Sequence, residues 1–194
     1  MPDLSFLLEA IARPAGESSD FDLNPNFQMP PDRKLRAAAV LVAVGPGNGV
    51  LLTKRSSHLL HHPGQIALPG GKLDATDVSL ESCALRESHE EVGLPPDAVQ
   101  ILGRLPPHET VTGFVITPIL ARITRPFDPV PELGEVDEVF TVPLSHLLDL
   151  RHYAIEQRRW QGQIRRYYSV PWGPYYVWGA TARILRGLAD RVAL

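Results

Sequence analysis

The stretch ALRESHEEVGL, residues 84–94, constrains this chain more than any other. Gly93 and Leu94 followed by two prolines form a strong helix stop. Ala84, Leu85, Ser88 and Val92 recur at helical spacing, which predicts a helix over residues 78–92. On that helix Glu87, Glu90 and Glu91 stand at i, i+3 and i+4, on one face beside the apolar stripe. Their repulsion costs about 0.2–0.5 kcal/mol per pair on an exposed helix. They also crowd the end of the helix where the macrodipole disfavours negative charge. A solvated acidic face is the plain reading of such a group. A divalent cation, which takes oxygen ligands, would relieve both penalties. The context favours the cation: the PGGKLD turn, residues 69–74, stands just before the helix, and Arg86 can brace a carboxylate in its planar fork.

The rest of the chain is ordinary in bulk. Its 194 residues suit a single domain, 1–194, with 1–32 an N-terminal helix and irregular arm. That length buries a core without staples. A net charge of -3 gives no general attraction to nucleic acid or anionic membrane. The lone Cys83 rules out an internal disulfide framework and reads as a packed thiol in a reducing compartment. The N-terminus lacks a basic first region, and the longest apolar run, Ala37 to Val44, is too short to span a bilayer. The expected location is cytoplasmic.

Local patterns give a mixed order of elements. A short helix is expected from Leu4 to Ile11, then a polar arm from Glu17 to Pro31. LRAAAVLVAV reads as a buried strand, GPGNG as a turn and VLLTKR as the returning strand of a hairpin. Further strands are expected in QIALPGG, VQILGRL, TGFVITPILARI and EVDEVFTVPL, with a short helix from Ser145. A hairpin is expected around Gly162 and a last helix from about Ala180. Strands outnumber helices without a regular βαβ alternation, so the fold class is α+β or a mixed sandwich.

GGKLDATDVSLESCALRESHEEVGL resembles the Nudix box, the loop–helix motif of hydrolases acting on nucleoside diphosphates linked to another group. The usual pattern is G-x5-E-x7-R-E-U-x-E-E-x-G-U, with U aliphatic. Arg86, Glu87, Glu90, Glu91, Gly93 and Leu94 match it. Ser88 replaces an aliphatic residue, the stretch from Gly71 to Arg86 is one residue longer, and Asp77 is the acid nearest the early glutamate. The resemblance implies a mixed β-sheet sandwiched between α-helices. It implies that Glu87, Glu90 and Glu91 are metal ligands, or two ligands and a base, for Mg²⁺ or Mn²⁺. The Gly71 carbonyl would be a further ligand, and Arg86 would orient the acids.

LLTKRSSHLLHHPGQIALPGG, residues 51–71, resembles a second motif, LLTxR(S/A)xxLRxHxGQxxFPGG, of the coenzyme A pyrophosphatase branch. Twelve positions match, among them Arg55, His62, Gly64, Gln65, Gly70 and Gly71; Leu68 replaces the phenylalanine, and LLHH lacks the arginine. The implied reaction is hydrolysis of coenzyme A, free, acylated or oxidised, to 3′,5′-ADP and 4′-phosphopantetheine. The partner would be that small molecule, with the chain a monomer or homodimer. From the residues alone, Lys54, Arg55, His58, His61 and His62 are a cationic group able to hold phosphates. Lys54, Arg55, His62 and Gln65 are the candidate substrate-binding residues. A zinc site on the histidines is disfavoured because the loop has no cysteine or acid. Glu138, and second to it Glu135, is a candidate base; the rival reading is a charge guarding a strand edge. Tyr167, Tyr168, Trp172, Tyr175, Tyr176 and Trp178 are either adenine-stacking or packing residues. Alternatives are a Nudix hydrolase of ADP-ribose, dinucleotides or nucleoside triphosphates, and a non-catalytic nucleotide sensor.

Overall fold

The computed structural model describes residues 4–27, 33–160 and 162–194. The remainder of the expected arm, residues 28–31, lies outside them. The chain opens with α1 (Ser5–Ala12) and a two-residue strand β1 (Ser18–Ser19). Next come β2 (Arg36–Val44), β3 (Gly49–Arg55), β4 (Ile66–Ala67) and β5 (Gly70–Lys72). The acidic helix α2 (Leu80–Val92) leads to β6 (Val99–Arg104), β7 (His108–Glu109), β8 (Phe114–Ile123) and β9 (Val136–Pro143). After α3 (Leu144–Leu148), a hairpin of β10 (Ala154–Trp160) and β11 (Gln163–Ser169) precedes α4 (Ala180–Val192). The result is a mixed sheet between helices, an α+β fold.

The layers follow from period-2 alternation in β2. Ala39, Leu41 and Ala43 face one core, with Leu51, Ile119 and Ala121, under Cys83, Ala84 and Val92 of α2. Val42 and Val44 face the other, with Leu52, Leu120 and Val142, under α1, α3 and α4. Leu4, which precedes α1, and Leu7 within it pack into this second core, with Leu185 and Leu188 of α4. Arg191 ties the two helices, donating to the carbonyls of Ala10, Ile11 and Arg13.

The expected hairpin of β2 and β3 is different in the structure. The two strands pair only at Val44 and Val50, beside the turn. Beyond it, β2 runs parallel to β8 and antiparallel to β5, while β3 pairs with β9 and β4. Both faces of β2 are apolar, so the strand belongs in the middle of two layers rather than at the edge of a ribbon. Pro118 sits inside β8 without breaking it. Its missing N–H falls where the neighbouring strand changes from β7, paired at Val115 and Ile116, to β6, paired from Ile119 onward.

Candidate active site

The acidic helix begins two residues later than its periodicity suggests. Ser79 caps it: its side chain accepts from the Ser82 amide, and Ser82 accepts from the Ser79 amide. Such a reciprocal cap contributes about 1 kcal/mol. Gly93 stops the helix in the left-handed region, with φ 70°. Ser88 is fully buried, and its hydroxyl donates to the Ala84 carbonyl at 2.6 Å.

The three glutamates share a helix side but not an environment. Glu90 is exposed, Glu87 is mostly covered, and Glu91 is only 5% exposed. Position 91 lies seven residues after Ala84 and just before Val92, which turns it onto the buried face. Burial pushes the Glu91 carboxyl up to about 7, with the charges of Glu87 and Glu135 adding to the effect. The Gly70 N–H, which donates to Glu91 Oε2 at 3.0 Å, and the charge of Arg55 work against it. Glu87 is also raised, by burial first and then, against the pull of Arg86, by Glu90 and Glu135.

Strand β5 lies against this helix because residues 70 and 71 are glycines. Gly70 has φ +148°, and a Cβ there would collide with the backbone of Ala39 and Val40. A Cβ on Gly71 would stand in the Glu87 carboxylate. The Gly71 carbonyl also receives a weak bond from the buried Cys83 thiol at 3.7 Å. Burial pushes that thiol up to about 11, so it stays protonated and packed.

Arg86 braces the group. Its Nε and one terminal nitrogen hold the two oxygens of Asp77 at 3.0 and 2.8 Å. Its other terminal nitrogen meets Glu87 Oε1 and Glu90 Oε2, each at 2.9 Å. This fork holds the Asp77 carboxyl down at about 2. Asp77 therefore provides an acidic partner for the motif arginine, although the early glutamate is missing.

Among the described residues no three His, Cys, Asp or Glu side chains converge closely enough to hold a metal ion as they stand. Arg86 engages Glu87 and Glu90, while Glu91 is held by Gly70. The donor set nevertheless fits a hard divalent cation: carboxylate oxygens and a glycine carbonyl, with two carboxylates raised by burial and like charge.

A cleft of about 730 Å³ opens beside this group and reaches it at Gly70, Gly71 and Lys72; the glutamates themselves do not line it. Arg36, Arg55, Arg158, Arg165, Arg166 and Arg183 line its other walls against two acids, Asp20 and Asp22, so the cleft is net cationic. The Nε of Arg55 is buried without a hydrogen-bond partner. A second cleft, about 690 Å³, is lined by Lys54, Glu138, Tyr175 and Tyr176. His62, Gln65, Arg158 and Trp178 line both. Of the expected substrate residues, Arg55 thus belongs to the first cleft, Lys54 to the second, and His62 and Gln65 to the wall between them.

The two candidate bases also separate. Glu138 accepts a hydrogen bond from the Tyr175 hydroxyl and pairs across the sheet with Lys54. Glu135 bears electrostatically on both Glu87 and Glu91.

Sequence reading missed the N-terminal arm as a wall of the first cleft. Asn24 pairs side chain to backbone with Arg166: its Oδ1 accepts from the amide at 2.8 Å, and its Nδ2 donates to the carbonyl at 2.9 Å. Asp22 binds Arg183 at 2.9 Å. Asp20 accepts from the Val111 amide at 2.9 Å and meets the fully buried His108 at 3.2 Å. The polar residues of this arm carried the hint, since Asn24 and Asp20 bind backbone or a buried group and Asp22 binds Arg183.

Comparison with known proteins agrees with this architecture. Residues 33–162 match the family model described as the NUDIX domain. The chain is 44% identical over 161 residues to an uncharacterized Nudix hydrolase, NudL, of Enterobacter sp. (strain 638), covering 82% of this chain and 84% of that one. It is 44% identical over 162 residues to the NudL of Salmonella paratyphi B, with the same coverage. Among solved structures, a MutT/nudix family protein from Enterococcus faecalis is similar in fold, with a TM-score of 0.52 at 18% identity; the match covers 87% of this chain and 66% of that one.

Proposed function

The chain belongs to the Nudix family, and we propose that it hydrolyses the diphosphate of coenzyme A, free, acylated or oxidised, with Mg²⁺ or Mn²⁺. The products are 3′,5′-ADP and a 4′-phosphopantetheine species. The observation that carries this reading is the junction at Gly70 and Gly71. There a strand backed by Glu87 and Glu91 forms one end of an arginine-lined cleft large enough for a nucleotide. The match of residues 51–71 to the coenzyme A motif supports the choice of substrate.

Glu87, Glu90, Glu91 and the Gly71 carbonyl would hold the cation. When bound, it offsets charge developing on the phosphate oxygens and acidifies water. The chain's own work is positioning and electrostatics. Arg55, with its unpaired buried Nε, and Gln65 and His62 on the dividing wall would bind the diphosphate. Arg86 orients Glu87 and Glu90 through its fork and Asp77. Two observations favour Glu135 over Glu138 as the group that takes the proton from attacking water. Its charge bears on Glu87 and Glu91, and Glu138 is engaged by Tyr175.

The test is incubation of the purified protein with coenzyme A, ADP-ribose and diadenosine polyphosphates, each with Mg²⁺, Mn²⁺ or chelator, with products resolved by chromatography. Metal-dependent release of 3′,5′-ADP from coenzyme A is the expected result. Turnover of another compound in its place would refute the substrate, and no turnover at all would favour a nucleotide sensor.

A further inference from the structure

The hairpin β10–β11 places Arg158 directly opposite Arg165 across the two strands. Like charges in that relationship destabilise a hairpin. Both arginines line the first cleft. Arg158 lies over Trp178, 4.2 Å from the ring centre, and 6.0 Å from that of Tyr167. Arg165 lies over Phe27 at 5.2 Å and donates to the Asp20 carbonyl at 3.5 Å. Arg158, exposed at the rim, thus rests on two rings, and the half-buried Arg165 is held by Phe27 and the N-terminal arm. Asp20 offsets part of the charge of Arg165; a ligand carrying two negative charges would complete that neutralisation and relieve the repulsion between the arginines.

The proposed function places one anion position in the cleft, for the diphosphate, at Arg55, Gln65 and His62. We propose that Arg158 and Arg165 form a second, which binds the phosphate monoester on the ribose of the substrate, with Trp178 and Tyr167 beside the nucleoside. This inference rests on the coenzyme A reading. It gives the ribose phosphate to the hairpin and leaves the diphosphate to the residues of the histidine-rich loop and its flanks. Arg158 and Arg165 are specificity-determining residues; the diphosphate chemistry stays at the acidic helix.

Two measurements test it. The first compares kcat/KM on coenzyme A with that on 3′-dephospho-coenzyme A for the wild type, Arg158→Gln, Arg165→Gln and Arg165→Lys. The ratio between substrates should fall roughly 10- to 100-fold in each glutamine variant, the scale of a lost charge-assisted hydrogen bond, and be partly restored by lysine. The second measures binding of 3′,5′-ADP against 5′-AMP by tryptophan fluorescence in chelator, where no turnover occurs. The wild type should prefer 3′,5′-ADP and the glutamine variants should not. A substrate ratio unchanged in folded variants, or a wild type with no preference between the two nucleotides, would overturn the subsite. If the wild type prefers 3′,5′-ADP yet turns over no coenzyme A, the subsite stands and the proposed reaction fails.

Discussion

The carboxylate of Glu87 fills the space that a side chain at residue 71 would need. This one contact explains why the turn before the helix ends in glycine. It also lets the fold and the site be separated by a single methyl group. Glu87 is the far end of a flexible side chain, so Gly71→Ala can be accommodated by moving it. The expected outcome is a folded protein, its Tm within a few degrees of wild type, with kcat reduced on the order of 100-fold by misplacement of the carboxylate. Calorimetry beside steady-state kinetics checks both halves; an active Gly71→Ala enzyme would remove Glu87 from the site.

Glu91 gives the opposite dissociation of stability and activity. A carboxylate only 5% exposed, with Glu87 and Glu135 adding like charge, is a burden on the folded state. Glu91→Gln removes the charge and keeps an acceptor for the Gly70 N–H. In chelator the variant should melt at the same temperature as wild type or higher. Its turnover should fall on the order of 100-fold or more. Added Mg²⁺ should raise the Tm of wild type and leave the variant nearly unmoved. A variant with near-wild-type rate would end the assignment of Glu91 as a ligand.

Much of the acidic helix was legible because its signals are local. The helical spacing, the Gly93–Leu94 stop and the arginine–glutamate string all lie within residues 84–94. The burial of Glu91 was in the same arithmetic, since 91 is seven residues from Ala84, but its charge argued for the solvent face. The β2–β3 hairpin was misread for a physical reason. A turn signal fixes only the closing pair, Val44 and Val50, and cannot say that a strand apolar on both faces will take other partners. The arm from Ser18 to Asn24 was opaque because it has no period. Its structure is made by side chains, Asn24 on Arg166 and Asp20 on His108, whose partners lie some 90 to 140 residues away. Arg158 and Arg165 carry no local signal of a site; only the fold brings their hairpin to the cleft.

The arm should loosen with acid. Burial alone would raise the Asp20 carboxyl, but the hydrogen bond and charge of His108, the Val111 amide and Arg165 outweigh it and hold the group below its ordinary 3.8. Between the folded and unfolded values the unfolded chain binds more protons, so stability rises with pH there. The contribution is full above 3.8 and is lost as pH falls through the folded value. Asp20→Asn should therefore destabilise the protein at pH 7 by roughly 1–3 kcal/mol. The gap between variant and wild type should shrink below pH 3.8. Urea unfolding of both proteins at neutral and acid pH measures it; a gap independent of pH would mean that Asp20 acts by shape alone.

Glu135 and Glu138 stand three residues apart and should fail differently. Glu135 precedes β9, is exposed, and bears on Glu87 and Glu91. Its replacement touches charge at the reacting end and little else. Glu135→Gln should lower kcat by about 10²- to 10⁴-fold, the range for loss of a general base, with KM nearly constant and the Tm unchanged. Glu138 lies inside β9 and anchors the Tyr175 hydroxyl, whose ring stacks on Phe140 at 3.6 Å between centres. Glu138→Gln keeps an acceptor for that hydroxyl but drops the charge beside Lys54 in the second cleft. It should change KM several-fold and leave kcat within about threefold, as expected for loss of uniform binding. Tyr175→Phe should copy that pattern, because it removes the other half of the same hydrogen bond. If Glu138→Gln instead shows the large loss in kcat at constant KM, the base is Glu138, and Tyr175 is the residue that orients it.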